Sequence, residues 1–343
     1  MANVLKRFYH LSKRIIQECK AYPERKRSFG TKVAKAAFRD GIIPPGKSPE
    51  YIRTVSEFVD GELETVVEKY NTEQSVEDNL SGSSNNTQTK IPIWCCWWQG
   101  EESMPDLVKL CHTRLKQVIP PDKAELHLIS FDNYKDYVEF PDHILKKYHN
   151  GQITMTTMSD VLRFLLLEKY GGYWLDATVF FTGIIPEEYF TDSFYCQRMV
   201  SRTALARREA CGCNWCGFSM AGQAHSIVFR YMNDAFSKWW NDFDSIIDYV
   251  LIDYLLLTGY RHIPQITEII NHVPDNNEDI FEMYKVLNYP YSRELLEQLT
   301  VRNVMHKLTY KEITSKTTKD GKMTLYGFLW KSVFEHQGRF DWV

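Results

Sequence analysis

The sequence predicts an α/β protein preceded by an α-helical extension, on three observations. Apolar residues recur at helical spacing up to Tyr70, a polar stretch free of large apolar clusters follows, and from Ile91 short apolar runs alternate with helical ones. The chain has 343 residues, 44% hydrophobic and 25% charged, which is enough apolar mass to bury a sizeable core and excludes disorder throughout.

Taken in order, residues 1–70 read as helices. Leu5, Phe8, Leu11, Ile15 and Ile16 lie on one side of an amphipathic first segment, a turn is expected at Ile43-Pro44-Pro45-Gly46, and Tyr51 to Tyr70 repeats apolar residues at helical intervals. Residues 71–90, rich in Ser, Asn and Thr, read as a flexible loop or linker. The main domain is then expected over 91–343. It would begin with a buried strand from Ile91 to Trp98, a helix from Pro105 to Val118 and a second strand from Glu125 to Phe131. A helix from Met158 to Tyr170, closed by Gly171-Gly172, leads into a strand from Tyr173 to Phe181. There is no internal repeat.

Charge is lopsided although the net value is only -3. Residues 1–40 carry 11 Lys and Arg against 3 Asp and Glu, so the arm is basic and the remainder acidic. This excludes a global field attracting nucleic acid. It suits an anionic membrane surface as partner of residues 1–40, where each cation near the lipid contributes about 1 kcal/mol; a solvated helix packed on its own domain is the alternative. No run reaches the roughly 18 apolar residues of a membrane span, and Met1 to Lys20 lacks a secretory core, so the expected location is the cytoplasm, with a peripheral position on the inner face of the membrane. In such a compartment the eight cysteines are thiols; Cys196, Cys211, Cys213 and Cys216 lack the paired spacing of a zinc ribbon.

The chemistry concentrates in Ser159 to Thr178. Asp160 and Arg163 share one helix face three residues apart, and strand alternation puts Trp174, Asp176 and Thr178 together, leaving Asp176 inside an otherwise apolar strand. A carboxylate there costs several kcal/mol unless a cation or metal pairs with it, and an internal ion pair with Arg163 is the plain structural alternative.

The pattern Ser-Asp-x-x-Arg, a Tyr-Gly-Gly turn and a strand ending in Leu-Asp resembles the sugar-binding region of GT-A fold glycosyltransferases with an Asp-x-Asp metal motif. The chain is most similar to the capsular polysaccharide synthesis branch of that group. Further matches are Ile91 to Trp94, Trp97 to Gly100, Asp132 to Tyr137, Ile247-Asp248-Tyr249, Asp253-Tyr254 and His306 to Lys311; together they span roughly residues 90–312.

The resemblance implies a GT-A-like nucleotide-sugar-binding domain, with a mixed, mostly parallel central sheet flanked by helices. It assigns Trp97, Trp98 and Gln99 to the base, Asn133 to base or ribose, and Asp160 and Arg163 to the donor sugar and its phosphate. Asp176, with Thr178 and His306, would hold Mn2+ or Mg2+, although Thr178 stands where relatives of the wider group have the second aspartate. Asp176 and Arg163 would act in catalysis, and Asp253 would flank the sugar on its other side. The implied activity is metal-assisted transfer, with retention of configuration, from a nucleotide-sugar donor to a hydroxyl of a surface or capsular polysaccharide or a lipid-linked saccharide. Two alternatives use the same residues: a non-catalytic membrane-associated protein of this fold, and a nucleotide-sugar hydrolase. Donor turnover with and without an acceptor separates them.

Overall fold

The computed structural model describes residues 2–42, 47–77, 90–186, 189, 194–201 and 209–341. The expected turn at 43–46 and most of the expected linker lie outside these residues; α3 continues to Glu77, into the start of that linker.

In chain order the helices are α1 (Ala2–Ile42), α2 (Pro49–Glu62), α3 (Glu64–Glu77), α4 (Asp106–Val118), α5 (Asp142–His149), α6 (Met155–Tyr170), α7 (Ile227–Asp242), α8 (Leu251–His262), α9 (Pro264–Asn271), α10 (Glu282–Lys285), α11 (Arg293–Thr300) and α12 (Leu325–Phe334). The strands are β1 (Ile91–Cys96), β2 (Ala124–Ile129), β3 (Gly172–Leu175), β4 (Val179–Phe181), β5 (Phe194–Cys196), β6 (Ser219–Gly222) and β7 (Met305–Lys307). Five strands form the central sheet in the order β2-β1-β3-β6-β5, and β4 and β7 form a separate pair. β1 runs parallel to both β2 and β3, while β6 runs antiparallel to β3 and β5. The sheet is therefore mostly parallel, with β6 as the reversed strand.

Helices α2 and α3 do not stand apart from this domain. Tyr51, Val55, Val59 and Tyr70 are buried in the same core as Phe164, Phe229, Tyr231 and Leu255. Val55 and Val59 are fully buried, a burial that stabilises by about 1.5–3 kcal/mol for each such side chain. The Tyr51 hydroxyl donates to Asp248 Oδ2 at 2.8 Å, and Thr258 Oγ1 donates to Asp60 Oδ1 at 2.7 Å. The expected boundary between extension and domain is thus crossed by shared packing. α1 divides at Gly30, where φ 78° and ψ 171° leave the helical region. The chain doubles back there, so that Tyr22 and Phe38 meet edge to face at 5.9 Å. At the bend and on the second arm Phe29, Val33, Ala36 and Ala37 are buried, whereas on the first arm Tyr9, Leu11, Ile15 and Ile16 are exposed.

Two local features position the site. Thr154 caps α6 by accepting a bond from Thr157 N at 3.2 Å, and α6 ends at Gly171 with φ 66°. Gly172 follows with φ 93°, and a Cβ there would lie 2.2 Å from Pro92 O, so the Tyr-Gly-Gly turn admits no larger residue as β3 slides in beside β1. The strand expected from Tyr173 to Phe181 is instead broken: β3 ends at Leu175, Val179 N donates to Asp176 O at 2.9 Å, and β4 leaves for the second sheet. Asp176 consequently lies in a turn at the carboxyl end of β3, not inside a strand.

Candidate active site

β1 and β3 are parallel, so their carboxyl ends open on the same edge of the sheet, the edge where ligands gather in α/β folds. The chain running from α6 into β3 places the start of α6 at this edge too. A cleft of about 630 Å3 opens there, lined by Trp97 and Gln99 after β1, by Asp160 and Arg163 from α6, and by Asp176 and Thr178 after β3. Lys307 enters it from β7, and Tyr310 and Lys311 close the same side.

Arg163 is the centre of the charge network. Its side chain is 5% exposed, with NH1 3.2 Å from Asp160 Oδ1, NH2 3.4 Å from Asp176 Oδ1, and its guanidinium 5.0 Å above the Trp174 ring. Yet Nε and NH1 have no hydrogen-bond partner among the described residues. A Cβ on Gly217 would come within 3.0 Å of NH1, so the absence of a side chain at Gly217 keeps the guanidinium edge clear. Buried donors without acceptors cost about 1–3 kcal/mol and call for an explanation; an anionic ligand supplies one.

Asp176 accepts bonds from Trp174 Nε1 at 3.0 Å and from Lys307 Nζ at 2.7 Å, and Lys307 Nζ also reaches Thr178 Oγ1 at 2.8 Å. Burial alone would raise the Asp176 pKa, but Lys307 and Arg163 overcome it and hold the carboxyl at about 2. In Asp160 burial prevails over the attraction of Arg163 and lifts the pKa to about 6.

The remaining expected residues divide. Trp97 faces the cleft, with its ring 5.6 Å from Tyr310 in an edge-to-face pair. Trp98 is largely buried: its Nε1 donates to Met155 O and Ser159 Oγ, and its ring stacks on Phe131 at 4.7 Å. It borders the cleft mainly as a support for the start of α6. Asn133 is not among the cleft residues. Its Oδ1 accepts from Ser130 N at 2.8 Å and its Nδ2 donates to Leu128 O at 2.9 Å, so the amide is consumed by the turn after β2.

His306 likewise lies away from the cleft, because residues alternate along β7 and Lys307 takes the open side. The imidazole is fully buried, 3.3 Å from Thr182 Oγ1, and burial depresses its pKa to about 3. The oxygens expected to hold a divalent metal have a cation beside them. The two, from Asp176 and Thr178, share the Lys307 ammonium. Among the described residues no group of three or more His, Cys, Asp or Glu side chains could hold a metal ion, the four cysteines of the 196–216 region included.

A second cavity of about 370 Å3 adjoins the cleft, with Asp160, Arg163 and Asp176 forming part of both walls. Asp253, in the first turn of α8, lines it together with Glu209, Trp215 and Tyr249. Trp215 Nε1 donates to Asp253 Oδ1 at 3.1 Å, and burial, with Glu209 adding repulsion, raises the Asp253 pKa to about 7. Asp248 is spent on structure: it accepts from Tyr51 and, through Oδ1, from Val250 N at 3.0 Å.

The sequence matches the family of capsular polysaccharide synthesis proteins over residues 49–329. The chain belongs to this family. The match starts well before residue 90, in agreement with the packing of α2 and α3 into the main core. An O-glycosyltransferase, PaGT, of Phomopsis amygdali is 23% identical over 238 residues, which cover 66% of this chain and 57% of that protein. The chain thus spans a little over half the length of this relative. Among solved structures, the PaToxG glycosyltransferase is matched over 74% of this chain and all of that one, at 12% identity and a TM-score of 0.35.

Lys307, Tyr249 and Tyr310 line the cleft, although the sequence reading, which quoted them within its family-like segments, gave them no role. The signal was a lone lysine between Met305 and Leu308, but its partner strand β4 lies more than a hundred residues earlier.

Proposed function

We propose that this member of the capsular polysaccharide synthesis family is a glycosyltransferase that moves a sugar from a nucleotide-diphosphate donor to an acceptor hydroxyl. The observation that carries the reading is the buried Arg163, whose Nε lacks a hydrogen-bond partner among the described residues while its guanidinium borders a cleft shared with Lys307, Asp160 and Asp176. Trp97 and Tyr310 offer aromatic surface for the base, a contact type that contributes about 1–3 kcal/mol in base stacking. Gln99 borders the same aromatic end. Arg163 and Lys307 face the diphosphate, and the carboxylates of Asp160 and Asp176 accept from the donor sugar's hydroxyls.

The acceptor is placed in the adjoining cavity. There its hydroxyl oxygen forms the new bond to the anomeric carbon, the bond from that carbon to the phosphate oxygen breaks, and the electron pair leaves on the diphosphate. Asp253 takes the acceptor's proton; a carboxyl with a pKa near 7 is well matched to that task. Retention at the anomeric carbon is proposed on the family resemblance, and it requires the acceptor oxygen to attack from the same face that the diphosphate leaves. The acceptor class is a saccharide or lipid-linked saccharide of a surface polymer. The exposed face of Tyr9, Leu11, Ile15 and Ile16, with Lys13, Arg14 and Lys20 on the same helix, is proposed to rest on an anionic membrane beside that acceptor. A nucleotide-sugar screen by thermal shift tests the reading: a donor should raise the melting temperature of the wild type and not of Arg163→Ala. If no nucleotide sugar shifts the wild type, the reading is wrong.

A further inference from the structure

We propose that the cleft binds the donor's diphosphate without a divalent metal, using the Lys307 ammonium and the Arg163 guanidinium as counter-charge. The inference rests on reading the cleft as the donor site and adds what neutralises the leaving group there.

Geometry leads to it. In a metal-dependent site of the expected kind, two side-chain oxygens after the strand end would bridge to the diphosphate through a divalent cation. Here the corresponding oxygens, Asp176 Oδ2 and Thr178 Oγ1, lie 2.7 and 2.8 Å from one nitrogen, Lys307 Nζ. That nitrogen also lies 4.9 Å from the centre of the Phe218 ring, so it is held on three sides, yet the side chain remains 19% exposed toward the cleft. A metal entering between Asp176 and Thr178 would have to displace a cation already seated there.

Arg163 supplies the second positive charge at the other oxygen of Asp176, with NH1 paired to Asp160 and Nε unbonded among the described residues. A planar guanidinium suits a phosphate's paired oxygens, and a lysine suits it as a point charge. Lys311, on the cleft wall next to Tyr310, adds a third cation nearby. The single carboxylate at the strand end then has a different task from metal binding. Asp176 stays ionised and holds the Lys307 ammonium and the Arg163 fork on its two oxygens, so that both point at one place. The hydroxyl at Thr178 fits this arrangement better than a second carboxylate would, because another negative charge beside Lys307 would cancel the site's attraction for an anion.

The test is calorimetric titration of the full chain with inorganic pyrophosphate, UDP and GDP, in excess EDTA and again in excess manganese. At least one probe should bind in EDTA, within about threefold of its affinity in manganese. Lys307→Met should weaken that binding by about tenfold or more, and Lys307→Arg should recover most of it, with melting curves confirming that both variants fold. Binding that appears only with manganese, or a Lys307→Met variant that binds like the wild type in EDTA, would overturn the inference while leaving the donor-site reading in place. If all three probes fail under both conditions, both fall.

Discussion

The cleft and the cavity beside it share Asp160, Arg163 and Asp176, but their private walls carry opposite charge. On the cleft side stand Lys307 and Lys311 against the single carboxylate of Glu312; on the cavity side stand Asp253 and Glu209. A group-transfer site needs this polarity. Negative charge accumulates on the departing diphosphate, where cations stabilise it, and a proton must leave the acceptor, where a carboxylate of raised pKa receives it. The partition teaches that Asp176 sits at a boundary: it belongs to both walls and organises the cations on one of them.

The sharpest way to break this comparison is to remove the boundary group. Asp176→Ala should lower transfer by at least about a hundredfold to a thousandfold, since both cations lose the oxygen atoms that aim them. The melting temperature should fall while the fold persists, because the ionised Asp176 is stabilised by Lys307 and Arg163 and its loss leaves both cations without that partner. Near-normal turnover in this variant would remove Asp176 from the account.

Next in size is Asp253→Asn, which should reduce transfer by about 10²–10⁴-fold and leave nucleoside diphosphate affinity unchanged, because the damage falls on the acceptor side alone. The same variant should gain stability at alkaline pH. The Asp253 pKa is raised from the ordinary 3.8 to about 7 on folding, so the folded protein binds this proton more tightly than the unfolded chain does. Its contribution is therefore favourable at low pH and is lost as pH climbs from about 4 to 7. An amide, which keeps an acceptor for Trp215, avoids that loss. The gain at pH 8 should be on the order of 1–4 kcal/mol by denaturant titration. A destabilised Asp253→Asn at pH 8 would show that the carboxylate is paired and not repelled.

The wild-type rate supplies a third probe. If deprotonated Asp253 accepts the proton, kcat/KM should rise with pH through about 7 and the limb should vanish in Asp253→Asn. A limb that persists unchanged in the variant belongs to another group.

The smallest expected effect on chemistry comes from the arm. Leu11→Glu combined with Ile15→Glu should weaken binding to vesicles of mixed phosphatidylcholine and phosphatidylglycerol, more at low salt than at high salt, with activity on a soluble acceptor unchanged. Truncation must stop short of Phe29, which belongs to the core. Vesicle binding equal to that of the wild type would detach the arm from the membrane argument.

How much of this was legible in the sequence follows from the range of each interaction. The α6 and β3 unit could be read directly, because its helical period and its paired glycines act within about twenty residues of one another, although the helix begins at Met155 behind the Thr154 cap and not at Met158. So could the grouping of Asp160, Arg163 and Asp176. The break after Leu175 was hidden, since Tyr173 to Phe181 remains apolar on both sides of Asp176 and only the shift of β4 to β7 turns the chain. Lys307 and His306 exchanged importance for the same reason: which of two neighbours faces the cleft is set by pairing with Val179 and Phe180, a long-range register with no local signature. Asn133 looked available because a polar residue after a strand often meets a ligand, but its own turn offered a nearer partner.

The central claim, that the cleft around Arg163 holds a nucleotide sugar for transfer, is tested most directly by mass spectrometry of a panel of nucleotide sugars incubated with the purified chain and hydroxyl-bearing acceptors. The account predicts that at least one donor is consumed, faster with acceptor than without, and that Arg163→Ala with an intact melting transition consumes none. A panel left wholly intact by the wild type, or turned over equally by Arg163→Ala, would contradict it.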